Sequence, residues 1–121
     1  MVKNISADEK LQKINKELYE ISEKQVQNQR DLITNEQSEQ HFLEFSRKYN
    51  RLFDRLFYTW NKDKTFANWL NQENTELLHH KQKITYELEN QRETLNHEKR
   101  RLNDLEDELY DRKRALLKEV E

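Results

Sequence analysis

Glu76 and His80 stand four residues apart with His79 beside them, and on a helix that spacing puts a carboxylate and an imidazole on one face. These are the chain's best candidates for metal chemistry. A zinc site draws three or four ligands from the protein, so two on one face read as a solvated surface. His41 and His97 stand alone, with no nucleophile at a spacing that would let either act as a base. The chain has no Gly, so it has no Gly-rich loop to cradle a phosphate. It has no Cys, which removes disulfides and thiolate metal sites. The longest basic run, Lys99-Arg100-Arg101, is followed within a turn by Asp104, Glu106 and Asp107, the pattern of a solvated helix face and not of a phosphate site. With 22 basic and 24 acidic residues and a net charge of −2, neither sign dominates, and nucleic acid is not an expected partner. The expectation is a protein that is not an enzyme and that uses no cofactor and no metal.

What would position such residues is a small number of long helices. The 121 residues allow one domain. Gly and Pro, which break helices and shape tight turns, are both absent. Charged residues make up 38% and hydrophobic ones 33%, which suits thin helices with a narrow buried seam. No stretch approaches the roughly 18 apolar residues that a membrane span needs. Residues 1–9 lack an apolar core of signal-peptide length. The expected location is therefore the cytoplasm, with any export by a route that uses no cleaved signal.

Ser6 and Glu9 have the spacing of a capping box and predict a helix start there. A heptad follows. Its a positions run Leu11, Leu18, Gln25, Leu32, Glu39, Ser46, Phe53 and Trp60, and its d positions run Ile14, Ile21, Asn28, Asn35, Phe42, Tyr49 and Leu56. In the second half, Leu88, Leu95, Leu102, Leu109 and Leu116 recur every seven residues, a strong coiled-coil signal. Between the halves, Asn61-Lys62-Asp63-Lys64-Thr65 is polar and flanked by aromatics, and either Asp63 or Thr65 can cap a new helix.

The expected fold is all-α: a single domain spanning residues 1–121, with two long antiparallel helices in a coiled-coil hairpin. Helix 1 is placed at about 7–60, the turn at about 61–65 and helix 2 at about 66–118. Both halves share one heptad frame, so a continuous rod of about 170 Å is the alternative. Folding near Asp63 brings Gln25, Asn28, Asn35 and Glu39 within about a turn of Gln91 and Glu98, which favours the hairpin because buried polar groups need partners. A parallel rod dimer would stack Glu98 on Glu98.

All five Phe and both Trp lie between Phe42 and Trp69, together with Tyr49 and Tyr58. Here the apolar stripe outgrows the seam. Leu43 and Phe57 fall at e, Phe45 and Leu52 at g, Tyr58 at f, and Trp69 beside the seam residue Leu70. A stripe covering a, d, e and g needs a second neighbour. These aromatics either glue the end of the hairpin together, or are covered by self-association or by another helical protein. Phe42, Phe45, Phe53, Phe57, Trp60, Phe66 and Trp69 are the candidate partner-binding anchors.

The run Leu52-Phe53-Asp54-Arg55-Leu56-Phe57-Tyr58-Thr59-Trp60-Asn61-Lys62-Asp63 with Phe66, and the later Lys99-Arg100-Arg101-Leu102-Asn103-Asp104-Leu105-Glu106-Asp107-Glu108-Leu109-Tyr110, resemble a family of small helical accessory proteins encoded beside LXG-domain toxins in Gram-positive bacteria. The resemblance covers the last two-thirds of the chain. It implies a partner, the helical N-terminal LXG domain of a toxin, and a role in chaperoning that domain and targeting it to type VII (ESX) secretion. It also admits a second small helical accessory protein as a partner and export of the chain with its toxin. Proteins of that kind are related in shape to WXG-type hairpins. Here Trp60-Asn61-Lys62 replaces Trp-x-Gly, and the Tyr-x-x-x-Asp/Glu export element survives only as Tyr19 to Glu23 in the first helix. Both departures imply an adaptor whose export signal comes from another subunit. The alternative is a self-associating scaffold, a homodimer included; a nucleic-acid or phage-type accessory factor comes third, on charge balance.

Overall fold

The computed structural model describes residues 2–120. Helix α1 spans Val2–Trp60 and α2 spans Lys64–Val120, and among the described residues there is no strand. The chain divides into two units. One takes its residues from Met1–Leu32 and Thr94–Glu121, and the other is Ile33–Glu93. In the first, Ile14 and Ile21 near the start of α1 pack with Leu102 and Leu109 near the end of α2. In the second, Asn35 meets Leu88 and Gln91, while Asn50 meets Lys81. Residues later in α1 thus meet residues earlier in α2. The helices run antiparallel, and the fold is an all-α helical hairpin, not a continuous rod.

The connection is shorter than the sequence suggests. Among the described residues only 61–63 lie outside helix. Asp63 is the residue that caps α2: its Oδ1 accepts from the Phe66 amide at 3.1 Å and its carbonyl from the Ala67 amide at 2.9 Å. One otherwise unpaired N–H of the first turn is satisfied in this way. With Asp63 as cap, Lys64 and Thr65 lie inside α2, which begins two residues before the expected Phe66. At the other end, α1 already runs from Val2, so Ser6 and Glu9 are exposed residues within a helix and form no capping box. Nothing in Val2–Ile5 stops a helix, since neither Gly nor Pro is present.

The heptad frame sets burial. On α1, Ile14, Ile21, Asn28, Asn35 and Phe53 are buried, and Leu11, Leu18, Leu32, Phe42, Tyr49 and Leu56 are half-buried. On α2, Leu70 at 2% exposure and Leu102 at 1% are the most enclosed. Burying each of these leucines contributes about 1.5–3 kcal/mol.

The polar layers are satisfied differently from the expectation. Asn35 does reach Gln91, donating from Nδ2 at 3.2 Å, and the same Nδ2 lies 3.2 Å from the Leu88 carbonyl. Asn28 instead donates to the Leu95 main-chain carbonyl at 2.9 Å. Glu98 pairs with Arg101 on its own helix, Glu39 with Arg92, and Gln25 with Asn103. The cause is the register. A d residue of α1 lies across from an a residue of α2, so Asn28 faces a leucine, and a helix carbonyl is the acceptor within reach. The Asn35 Oδ1 is buried without a partner.

Candidate docking surface

The unit Ile33–Glu93 holds all seven anchors named from the sequence, and the structure sorts them by their place on the heptad. Phe53, at an a position, is 9% exposed and belongs to the internal seam, so it drops out as an anchor for a partner. Phe42, at d, is half-buried, as is Phe66 in the first turn of α2. The outward-facing residues remain open: Phe45 is 54% exposed, Phe57 40%, Trp60 49% and Trp69 53%. Leu43, Leu52 and Tyr58 are exposed alongside them.

Two aromatic ladders back three of these side chains, Phe45, Trp60 and Trp69. Along α1, Phe45 lies 6.1 Å from Tyr49, and Tyr49 lies 5.4 Å from the buried Phe53. The ladder steps from the surface into the seam, so an exposed ring is backed by rings that packing has fixed. Lys81 sits over the Tyr49 ring at 5.3 Å and donates to Asn50 Oδ1 at 2.9 Å. Across the turn, Trp60 packs edge-on against Phe66 at 5.6 Å, and Phe66 lies 5.7 Å from Trp69. Offset and edge-to-face pairs of this kind add roughly 0.5–1.5 kcal/mol beyond their buried area. Trp60 occupies a nominal a position, yet the turn follows it at once and no opposing layer covers it.

The exposed apolar residues flank the seam on both sides. Phe45 and Leu52 lie at g and Trp69 at c, which share one side, and Leu43 and Phe57 lie at e on the other. On the e side a groove of about 510 Å³ runs between the helices, with Phe42, Leu43 and Leu88 at its floor and the Glu39–Arg92 ion pair, 2.9 Å, on its rim. A second groove of about 430 Å³ is lined by Phe53, Phe57, Tyr58 and Asn71. Both are open clefts between helices, suited to side chains from another helix.

Sequence reasoning did not single out Ile33, Leu78 or Ile84 as surface residues, and each is 40% exposed or more. Leu78 follows the seam residue Leu77 and so falls at e, a signal the heptad carried. Ile84 is a d residue, and its exposure could not be read from the repeat. The layer opposite it is polar, with Glu39 drawn to Arg92.

The polar candidates stand apart from one another. Glu76, His79, His80, His41 and His97 are all exposed, and among the described residues no three His, Cys, Asp or Glu come together to hold a metal ion. Within Lys99-Arg100-Arg101, Arg101 is engaged by Glu98 at 2.7 Å. That hydrogen bond from Arg101 is the main cause holding the Glu98 carboxyl below its ordinary range, and the Arg101 charge acts in the same direction. Tyr19 is exposed, and the Glu23 carboxylate, accepting its hydrogen bond and acting through its charge, holds the phenol above its ordinary value. Among the described residues no helix is long and apolar enough to cross a membrane.

Compared with known families, residues 9–116 match the family model described as "Protein of unknown function (DUF3958)". No curated protein and no solved structure matches the chain.

Proposed function

We propose that this chain, which belongs to the DUF3958 family, is a non-catalytic adaptor that binds the helical N-terminal LXG domain of a toxin, chaperones it and helps target it to type VII secretion. The observation that carries the reading is the set of Phe45, Phe57, Trp60 and Trp69, each 40% exposed or more at one end of a two-helix hairpin. Two helices cover only each other's a and d positions, and these residues lie outside that seam or beyond its last layer. Large aromatics left in water favour association, and in protein interfaces such side chains carry most of the energy. The ladder from Phe45 through Tyr49 to the buried Phe53 supports the same reading, because it holds the Phe45 ring in place before a partner arrives. The partner's chemistry is that of a long amphipathic helix, whose apolar ridge would enter the e-side groove. The resemblance of Leu52–Phe66 and Lys99–Tyr110 to accessory proteins of LXG toxins supports the LXG domain as that partner.

In this role the chain needs no catalytic group and no cofactor. Export along with its toxin is part of the proposal, with the export signal supplied by another subunit, since the Tyr19 to Glu23 element lies within α1. A second small helical accessory protein can occupy the remaining side of the hairpin. The test is a search of the neighbouring genes for an LXG toxin, followed by co-expression of the chain with LXG toxins. A stable complex with the LXG domain on size exclusion supports the adaptor. A chain that forms only homodimers in their presence favours the self-associating scaffold.

A further inference from the structure

The two units of the hairpin differ in what holds them together. In the unit carrying Leu102, Ile14, Ile21, Leu102 and Leu109 form a continuous apolar cluster, with Leu18, Leu105 and Leu116 packed against it. In Ile33–Glu93, Phe53 and Leu70 are buried, and one aromatic ladder runs outward from Phe53 through Tyr49 to Phe45. The unit boundaries fall after Leu32 on α1 and after Glu93 on α2. Around them the seam turns polar. From Asn28 to Glu39 the seam positions of α1 are Asn28, Leu32, Asn35 and Glu39, and those of α2 from Ile84 to Glu98 include Gln91 and Glu98. Gln91 is exposed, Ile84 is 40% exposed, and Asn35 leaves one buried oxygen unpaired.

Cooperativity spreads through contiguous apolar packing, and a stretch that contributes little of it is where one cooperative unit ends and another begins. Both helices run through the boundary, but a helical backbone without a packed face is marginal in water and transmits little stability by itself. We propose that the hairpin is built from two cooperative units that open independently, so that the unit containing Leu102 opens while the aromatic unit Ile33–Glu93 stays folded. The inference does not depend on which partner docks on the aromatic unit. Its consequence is that the first thirty or so residues of α1 and the last part of α2 can separate and re-pair without dismantling the surface that carries Phe45 and Trp69.

Native-state hydrogen exchange on the full chain, followed residue by residue, tests this under conditions where circular dichroism shows it helical. Leu102→Ala removes the most enclosed side chain of its unit. It is expected to accelerate exchange roughly 30-fold or more for amides in 7–28 and 95–117, with those in 42–81 unchanged. Leu70→Ala is expected to do the reverse. If Leu102→Ala does not fold, Ile21→Val provides the same contrast with a smaller rise of roughly 3-fold. An equal acceleration across both sets in any of these variants overturns the proposal, and so does a wild-type chain with no protected amides in either set.

Discussion

Asn35→Leu is expected to make the protein more stable, although it removes two hydrogen bonds. Asn35 is 5% exposed, and its Nδ2 lies 3.2 Å from both the Leu88 carbonyl and Gln91 Oε1, while its Oδ1 has no partner. A buried unpaired oxygen costs about 1–3 kcal/mol, and each of the two bonds contributes about 0.5–1.5 kcal/mol net. Neither acceptor is stranded by the change. The Leu88 carbonyl keeps its partner within α2, and Gln91 is exposed and turns to water. Leucine at this site adds apolar burial worth up to about 1.5–3 kcal/mol. The balance is a gain of about 1–3 kcal/mol. Trp60 and Trp69 both lie in the same unit as Asn35, so tryptophan fluorescence in a guanidinium titration reports on that unit. A higher midpoint at unchanged slope is the expected result. A midpoint below wild type by the equivalent of 1 kcal/mol or more would refute the view that this polar layer costs stability, and would make the Asn35 bonds a net support of the fold.

Removing the cap of α2 with Asp63→Ala is expected to lower stability by about 0.5–2 kcal/mol in the same titration, while Thr65→Ala changes it little, because Thr65 lies inside the helix. Glu98 is expected to titrate below the ordinary glutamate value in a carboxyl NMR titration, and Arg101→Gln to bring it back up. The sign follows from the lowered folded-state value. The small stability this pair adds is complete above the ordinary glutamate range and is lost as pH falls through the lowered value, so Arg101→Gln leaves a shallower acid dependence there. Titration of Glu98 at the ordinary glutamate value would remove the ion pair from solution.

The repeat of Leu88, Leu95, Leu102, Leu109 and Leu116 made the helical class and the buried stripe legible, because seven-residue spacing has few other solutions. The turn was legible as a region but not in its limits. Asp63 and Thr65 are both good caps, and backbone geometry chooses between them. The Ser6–Glu9 pattern misled because a capping box needs a chain that enters the helix there, and α1 already runs from Val2. The polar layers were seen, and Asn35 does meet Gln91, but the partner of Asn28 was not foreseen. Asn28 bonds to a main-chain carbonyl, which every sequence offers and none advertises. For the docking surface, the e and g positions of Phe57 and Phe45 followed from the frame. The loss of Phe53 to the interior also follows from its a position, once position is weighed above residue type. The exposure of Trp60 and Ile84 depends on what lies across the seam, which one helix read alone does not reveal.

The measurement that bears most directly on the adaptor reading is calorimetric binding of the purified chain to the isolated helical domain of an LXG toxin, in wild type and in the outer-face variants. Phe57→Ala and Phe45→Asp alter side chains that stand outside the seam, so circular dichroism should show the hairpin intact. Truncating an anchor commonly costs about 2 kcal/mol or more of binding, a loss of affinity of roughly 30-fold. The account predicts nanomolar to micromolar binding by wild type and loss on that scale, or greater, in both variants. Folded variants that bind the toxin domain as tightly as wild type would contradict it.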